Sequence, residues 1–249
     1  MSEFKSSQLT RKLTNSIMAA AAAAVLFAGA TASAQKYAPP KNAYDGHADL
    51  DGIWQAKATV GDDIEKVIVD PSNKKIPYLP AAAAKAKANA AAKAKLDPVG
   101  KCYMPGIPRL ITMNYPFQIF QTAKYIVIVS EYSHTNRIIY MDGSAHVDYL
   151  PFWLGDSRGH WDGDTLVVDA LSFNDETWFD KAGNFHSDQL HVVERFTRTG
   201  ADTLSYEATI SDPKTFSKDW KISVPLALDK KPNARLMEYE CQELAPPVE

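Results

Sequence analysis

The chain reads as an all-β protein: an antiparallel β-barrel or sandwich with one Ala/Lys-rich surface helix. Three observations predict this. From Asp97 onward, short apolar runs succeed one another with no helical pattern between them, which excludes repeated βαβ units. Two runs alternate cleanly, with Leu204, Tyr206, Ala208 and Ile210 on one face of the first and Trp220, Ile222, Val224 and Leu226 on one face of the second. Tight-turn signals punctuate the runs: Met141-Asp142-Gly143, Asp162-Gly163-Asp164 and Thr199-Gly200-Ala201-Asp202.

Taken in order, the chain opens on a targeting signal, residues 1–34. Arg11 and Lys12 form its charged region, Ile17 to Ala28 its apolar region, and Ala32-Ser33-Ala34 a small-x-small cleavage site that makes Gln35 the first mature residue. Residues 35–249 are expected to form one barrel-like domain. Asp51-Gly52-Ile53-Trp54 starts the first strand, and Gly52-x-Trp54 resembles the lipocalin entry, where a Trp plugs one end of the barrel. Ile64 to Val69 is a second strand candidate. The run from Pro80 to Leu96 is the helix, 81–96: Ala and Lys are strong helix formers, Pro80 suits the start, and Asp97-Pro98 stops it. Strands are then expected over Phe117 to Phe120, Tyr125 to Tyr132, Asn136 to Met141, Gly159 to Asp169 (a hairpin), Gln189 to Thr197, Thr203 to Asp212, Trp220 to Leu228 and Arg235 to Cys241.

The formal net charge of −3 advertises no basic face, so no nucleic-acid partner is expected. The apolar leader is too short to span a bilayer comfortably, and no stable membrane insertion is expected once it is cleaved. Export, to a periplasm or beyond, favours pairing of Cys102 with Cys241; two free thiols are the alternative. Neither cysteine has a CxxC partner for zinc. GxSxG, P-loop and GxGxxG motifs are absent, so no nucleophile elbow and no nucleotide cofactor are expected.

Candidate site residues are those that break the alternation or crowd one loop. Glu194 is in phase with Leu190, Val192 and Phe196; Glu131 with Tyr125, Val127 and Val129; Arg137 with Ile139 and Met141. If those faces point inward, two carboxylates and a guanidinium enter an apolar interior. There they either pair for architecture or line a ligand cavity. His146 and Asp148 share a strand face, as a general-base pair would. The loop holding Asn174, Asp175, Trp178 and His186 carries more polar groups than a connector needs. His146, Asp148 and His186 could supply metal ligands, but no HExxH or HxH spacing supports a metal, and none is expected. Tyr115, Trp153, Trp178 and Phe185 sit near loops, which suits an apolar or aromatic ligand or the capping of barrel ends.

Several segments together carry a resemblance: DLDGIW from Asp49, DPVGKCYMPGIPR, PFQIFQTAKYIVIVSEY, RIIYMDGSAH, WDGDTLVVDALSFNDETWFDKAGNFHS, LHVVERF and LMEYEC. Over Ala48 to Glu243 the chain resembles a widespread, largely uncharacterised group of exported bacterial β-rich proteins. Where that group reads HP, this chain has His146-Val147. Where it reads GFND, this chain has Ser172-Phe173-Asn174-Asp175, so the backbone is expected to differ at both points.

Two functions compete. The first is a cofactor-independent lyase or isomerase acting by acid/base chemistry on a small aromatic molecule, such as a phenolic or lignin-type dimer. Phenolic acid decarboxylases carry Tyr, Glu and Arg inside a lipocalin-type barrel, and Tyr132, Glu131 and Arg137 are of those types. The second is a periplasmic binding protein that uses the same cavity without turnover.

Overall fold

The computed structural model describes residues 37–57, 60–70, 72–147 and 149–241. The expected leader and Asp148 lie outside the described residues. Among those residues the strands are β1 Gly52–Ala56, β2 Phe117–Gln121, β3 Tyr125–Ser130, β4 Asn136–Tyr140, β5 Asp156–Asp162, β6 Thr165–Leu171, β7 His191–Gly200, β8 Thr203–Ser211 and β9 Trp220–Leu228. They pair in sequence order and close on themselves, β9 returning to β1 through Trp54↔Leu228, Gln55↔Ala227 and Ala56↔Leu226. The fold is therefore an all-β barrel, and closure leaves no unpaired sheet edge at β1 or β9.

One pairing departs from the expected antiparallel arrangement. β4 and β5 run parallel and share only Ile139↔Ser157 and Tyr140↔Arg158. A two-residue turn joins antiparallel neighbours, whereas a parallel pair needs a crossover, and residues 141–155 supply its length. Gly159 lets the two strands approach: a Cβ there would lie 2.8 Å from Ile139 Cγ2. The barrel wall is thin at this seam.

The interior follows the period-two rule. Phe117 and Ile119 of β2, Ile126 and Ile128 of β3, Val192 and Phe196 of β7, and the alternating faces of β8 and β9 are all buried. Trp54 is buried as well, its Nε1 donating to the Leu50 carbonyl at 2.9 Å.

Three element expectations are corrected. Ile64 to Val69 is not a strand: Ile64–Val67 is a 3-10 turn, capped by the Asp63 side chain, which accepts from Glu65 N–H at 3.0 Å. The helix is two, α1 Pro80–Ala91 and α2 Lys93–Leu96, because Ala92 leaves helical geometry (φ −115, ψ 15). α1 packs Ala82 against Trp178 and Phe185, and Asn89 Nδ2 donates to Gly183 O at 3.2 Å. Arg235 to Cys241 forms no strand beyond one bridge, Tyr132↔Tyr239, since the closed barrel has no edge left to receive it. That segment is held instead by the disulfide Cys102–Cys241, with Cα atoms 5.5 Å apart. No helix among the described residues is long and apolar enough to cross a membrane.

Candidate functional site

Arg137 and Glu194 face the barrel interior as expected, and they face each other. Arg137 Nη1 donates to Glu194 Oε1 at 3.0 Å, Nη2 to Oε2, and Nε to Ser157 Oγ at 3.0 Å. Tyr206 OH donates to Glu194 Oε1 at 2.9 Å. Burial holds the Tyr206 hydroxyl well above its ordinary value, so it stays a donor. Arg137 is 2% exposed and Glu194 0%. This network spans the lumen from β4 to β7, so paired charges occupy the place where an open ligand cavity was expected.

Glu131 does not join them. Ile119, Ile128 and Arg137 stand opposite one another across β2, β3 and β4, and residues so paired share a face. The inward face of β3 is therefore Ile126, Ile128 and Ser130, and Glu131 sits outside it. Its Oε2 accepts from Met237 N–H at 2.9 Å. Both faces of this strand are apolar in sequence, so alternation alone could not choose between them. Tyr132 is buried under the disulfide-linked segment: its OH donates to Val99 O at 2.9 Å, and its ring packs on Tyr115 and Tyr239.

The polar loop is built for its own folding. Asp180 Oδ1 accepts from Ala182 and Asn184 N–H, and its Oδ2 from Ile64 N–H and Asn184 Nδ2. Burial raises its carboxyl above the ordinary range. His186 is 1% exposed; Nδ1 donates to Ser187 O at 2.8 Å, which leaves Nε2 to accept from Thr177 Oγ1 at 2.7 Å. With both nitrogens engaged and burial lowering its pKa, it is a neutral core histidine, not a free base. Trp178 is buried against Ala82 and Phe185 and so does not stack in an open site. Asp175 is exposed, and Asn174 Oδ1 accepts from Glu176 N–H at 3.2 Å. The structure therefore brings Arg137 and His146 to neighbouring residues of β5, Ser157 and Asp156, while Glu131 and His186 are held by other partners.

A different site takes shape at the β4–β5 seam. Beyond the two paired residues the strands part, and a cleft of about 620 Å³ opens in the outer wall. Its floor is Asn136, Arg137 and Ser157, and its apolar walls are Met104, Ile138, Tyr140, Phe152, Trp153 and Leu154. Tyr103 packs on Trp153 with centroids 5.3 Å apart. Asp142, Ser144, Asp156 and Arg158 make its polar end. No family model matches this chain, and no curated protein matches it either. The cleft must be read from its own geometry.

Asp156 is the hub of the polar end. Its Oδ2 accepts from Val147 N–H, Arg158 Nε and His146 Nδ1, each at 3.0 Å; Arg158 Nη2 donates to Oδ1 at 3.1 Å. Arg158 Nη1 donates to Ser144 Oγ at 2.7 Å, and its guanidinium lies over the Tyr140 ring, 4.6 Å from the centroid. His146 stands behind Asp156, with Nε2 3.7 Å from Asp169 Oδ1; His191 Nε2 reaches the same oxygen at 2.8 Å. The loop 172–174 borders the cleft, since Asn174 N–H donates to Phe152 O at 2.9 Å.

The segments around Val147 and Ser172 touch here. Ser172 takes φ +60, a conformation that glycine adopts without strain, and its hydroxyl donates to Val147 O at 2.7 Å. Val147 N–H donates to Asp156, which a proline could not do. Sequence reasoning missed Asp156 and Arg158. The signal was their i, i+2 spacing, which places an acid and a base on one face of a strand.

Proposed function

We propose that the β4–β5 cleft binds a small aromatic molecule, and that the protein is an exported bacterial ligand-binding barrel. The observation that carries this reading is the cleft itself. Its volume, about 620 Å³, falls within the range of small-molecule sites, and aromatic walls face a compact polar end. Export is supported by the leader-like N-terminus and the Cys102–Cys241 disulfide. Trp153 gives a direct readout. A neutral aromatic alcohol titrated into the protein should change Trp emission saturably, and Trp153→Leu should lose that response. A wild-type protein that shows no saturable response counts against the reading.

Catalysis of the lyase type is the second reading, favoured by the His146–Asp156 pairing at the back of the polar end. A carboxylate on Nδ1 orients an imidazole and leaves Nε2 as the basic nitrogen. If turnover of a phenolic dimer is found, His146→Ala should reduce it by about 10²–10⁴-fold while ligand affinity changes little. A bound ligand that is returned unchanged leaves the binding reading standing.

A further inference from the structure

Among the described residues that line the cleft, the charges sort into pairs with one remainder. Arg137, at the floor, is neutralised by Glu194 inside the barrel, bound through both terminal nitrogens. Arg158 spends Nε and Nη2 on Asp156 and Nη1 on Ser144. Each nitrogen of both guanidinium groups makes one of these bonds, and among the described residues no lysine lines the cleft. Asp142 is the remainder. It is exposed at the mouth, and its Oδ1 accepts from Ser144 N–H at 3.0 Å and Ser144 Oγ at 2.6 Å. Those bonds hold its carboxyl below the ordinary range, so it is an anion across the working pH. The two serine bonds fix the carboxylate beside the cleft.

We infer that the cleft selects an aromatic molecule carrying a cationic group, an arylalkyl ammonium, over aromatic acids of the same size. This rests on the ligand-binding reading and gives it a charge. The ring would lie against Phe152 and Trp153, whose faces attract a cation as well as apolar carbon. The ammonium would sit toward Asp142. An aromatic carboxylate would meet two carboxylates, Asp142 and Asp156, against one guanidinium, Arg158, whose bonds already go to Asp156 and Ser144.

Three probes of one shape separate the possibilities: 2-phenylethylamine, 2-phenylethanol and phenylacetate, followed by Trp emission at neutral pH. The expected order of affinity is amine, then alcohol, then acid. The amine should exceed the alcohol by about two- to fivefold, the range of an exposed ion pair. Added salt should shrink that gap. Asp142→Asn keeps an oxygen for the Ser144 donors and should compress the three affinities toward one another. Phenylacetate binding as tightly as the amine, or an amine preference that survives Asp142→Asn, would overturn the inference while leaving the aromatic site intact. If none of the three probes binds the wild-type protein, the ligand-binding reading itself fails, and this inference with it.

Discussion

At the scale of single residues, the chemistry is decided by whether each polar group already has its partners. His186 is the clearest case, an imidazole whose two nitrogens are committed to Ser187 and Thr177 within a ring of Phe173 and Phe179. Burial lowers its pKa from 6.5, so as pH falls the unfolded chain takes up the proton first. The stability gained by keeping it neutral is complete above about 6.5 and is lost as pH drops through the lowered folded value. Urea midpoints at pH 7.5 and 5.5 should therefore separate less in His186→Gln than in the wild type. An equal separation would mean that this histidine does not titrate as its burial requires. In sequence, His186 and His146 both stood out as candidate site histidines. Only their surroundings distinguish them, one sealed in the core and one half-buried between the buried Asp156 and the more exposed Asp169.

At the scale of strands, alternation made Glu194 legible because β7 has one clear apolar phase, whereas β4 carries Ile138 and Tyr140 on one face and Ile139 with Arg137 on the other. It failed for Glu131, where β3 is apolar on both faces and register against Arg137 makes the choice. The ion pair that results joins β4 to β7 across the lumen. Removing one partner strands a buried charge, so Glu194→Leu should cost about 3–5 kcal/mol in chemical denaturation. Arg137→Met combined with Glu194→Leu should recover most of that loss, because the pair's own desolvation penalty disappears with it. A double variant no better than the single would show that the network does more than satisfy its own charges. The parallel β4–β5 seam was not legible: nothing in a run of alternating residues records the direction in which the next strand returns. The 141–155 crossover and the cleft beside it were lost with it.

At the scale of the whole molecule, barrel closure and the disulfide divide the labour. Closure satisfies β1 and β9 and leaves the C-terminal segment without a sheet to join; the bond from Cys241 to Cys102 holds it, closing a loop with a sequence separation of 139. Such a loop restricts the unfolded chain, and replacing both cysteines with serine should lower stability by about 4–5 kcal/mol. Urea titration of the double variant checks this, and an unchanged midpoint would assign the segment's hold to packing alone. The all-β class was readable because strand periods persist over most of the chain. The position of the site was not, because it lies where two strands fail to pair. A crystal of the mature protein soaked in 2-phenylethylamine tests the central claim most directly. The account expects the ring between Tyr140, Phe152 and Trp153, with the amine toward Asp142. A ligand seated inside the barrel against Arg137 and Glu194, or bound elsewhere with the cleft empty, would contradict it.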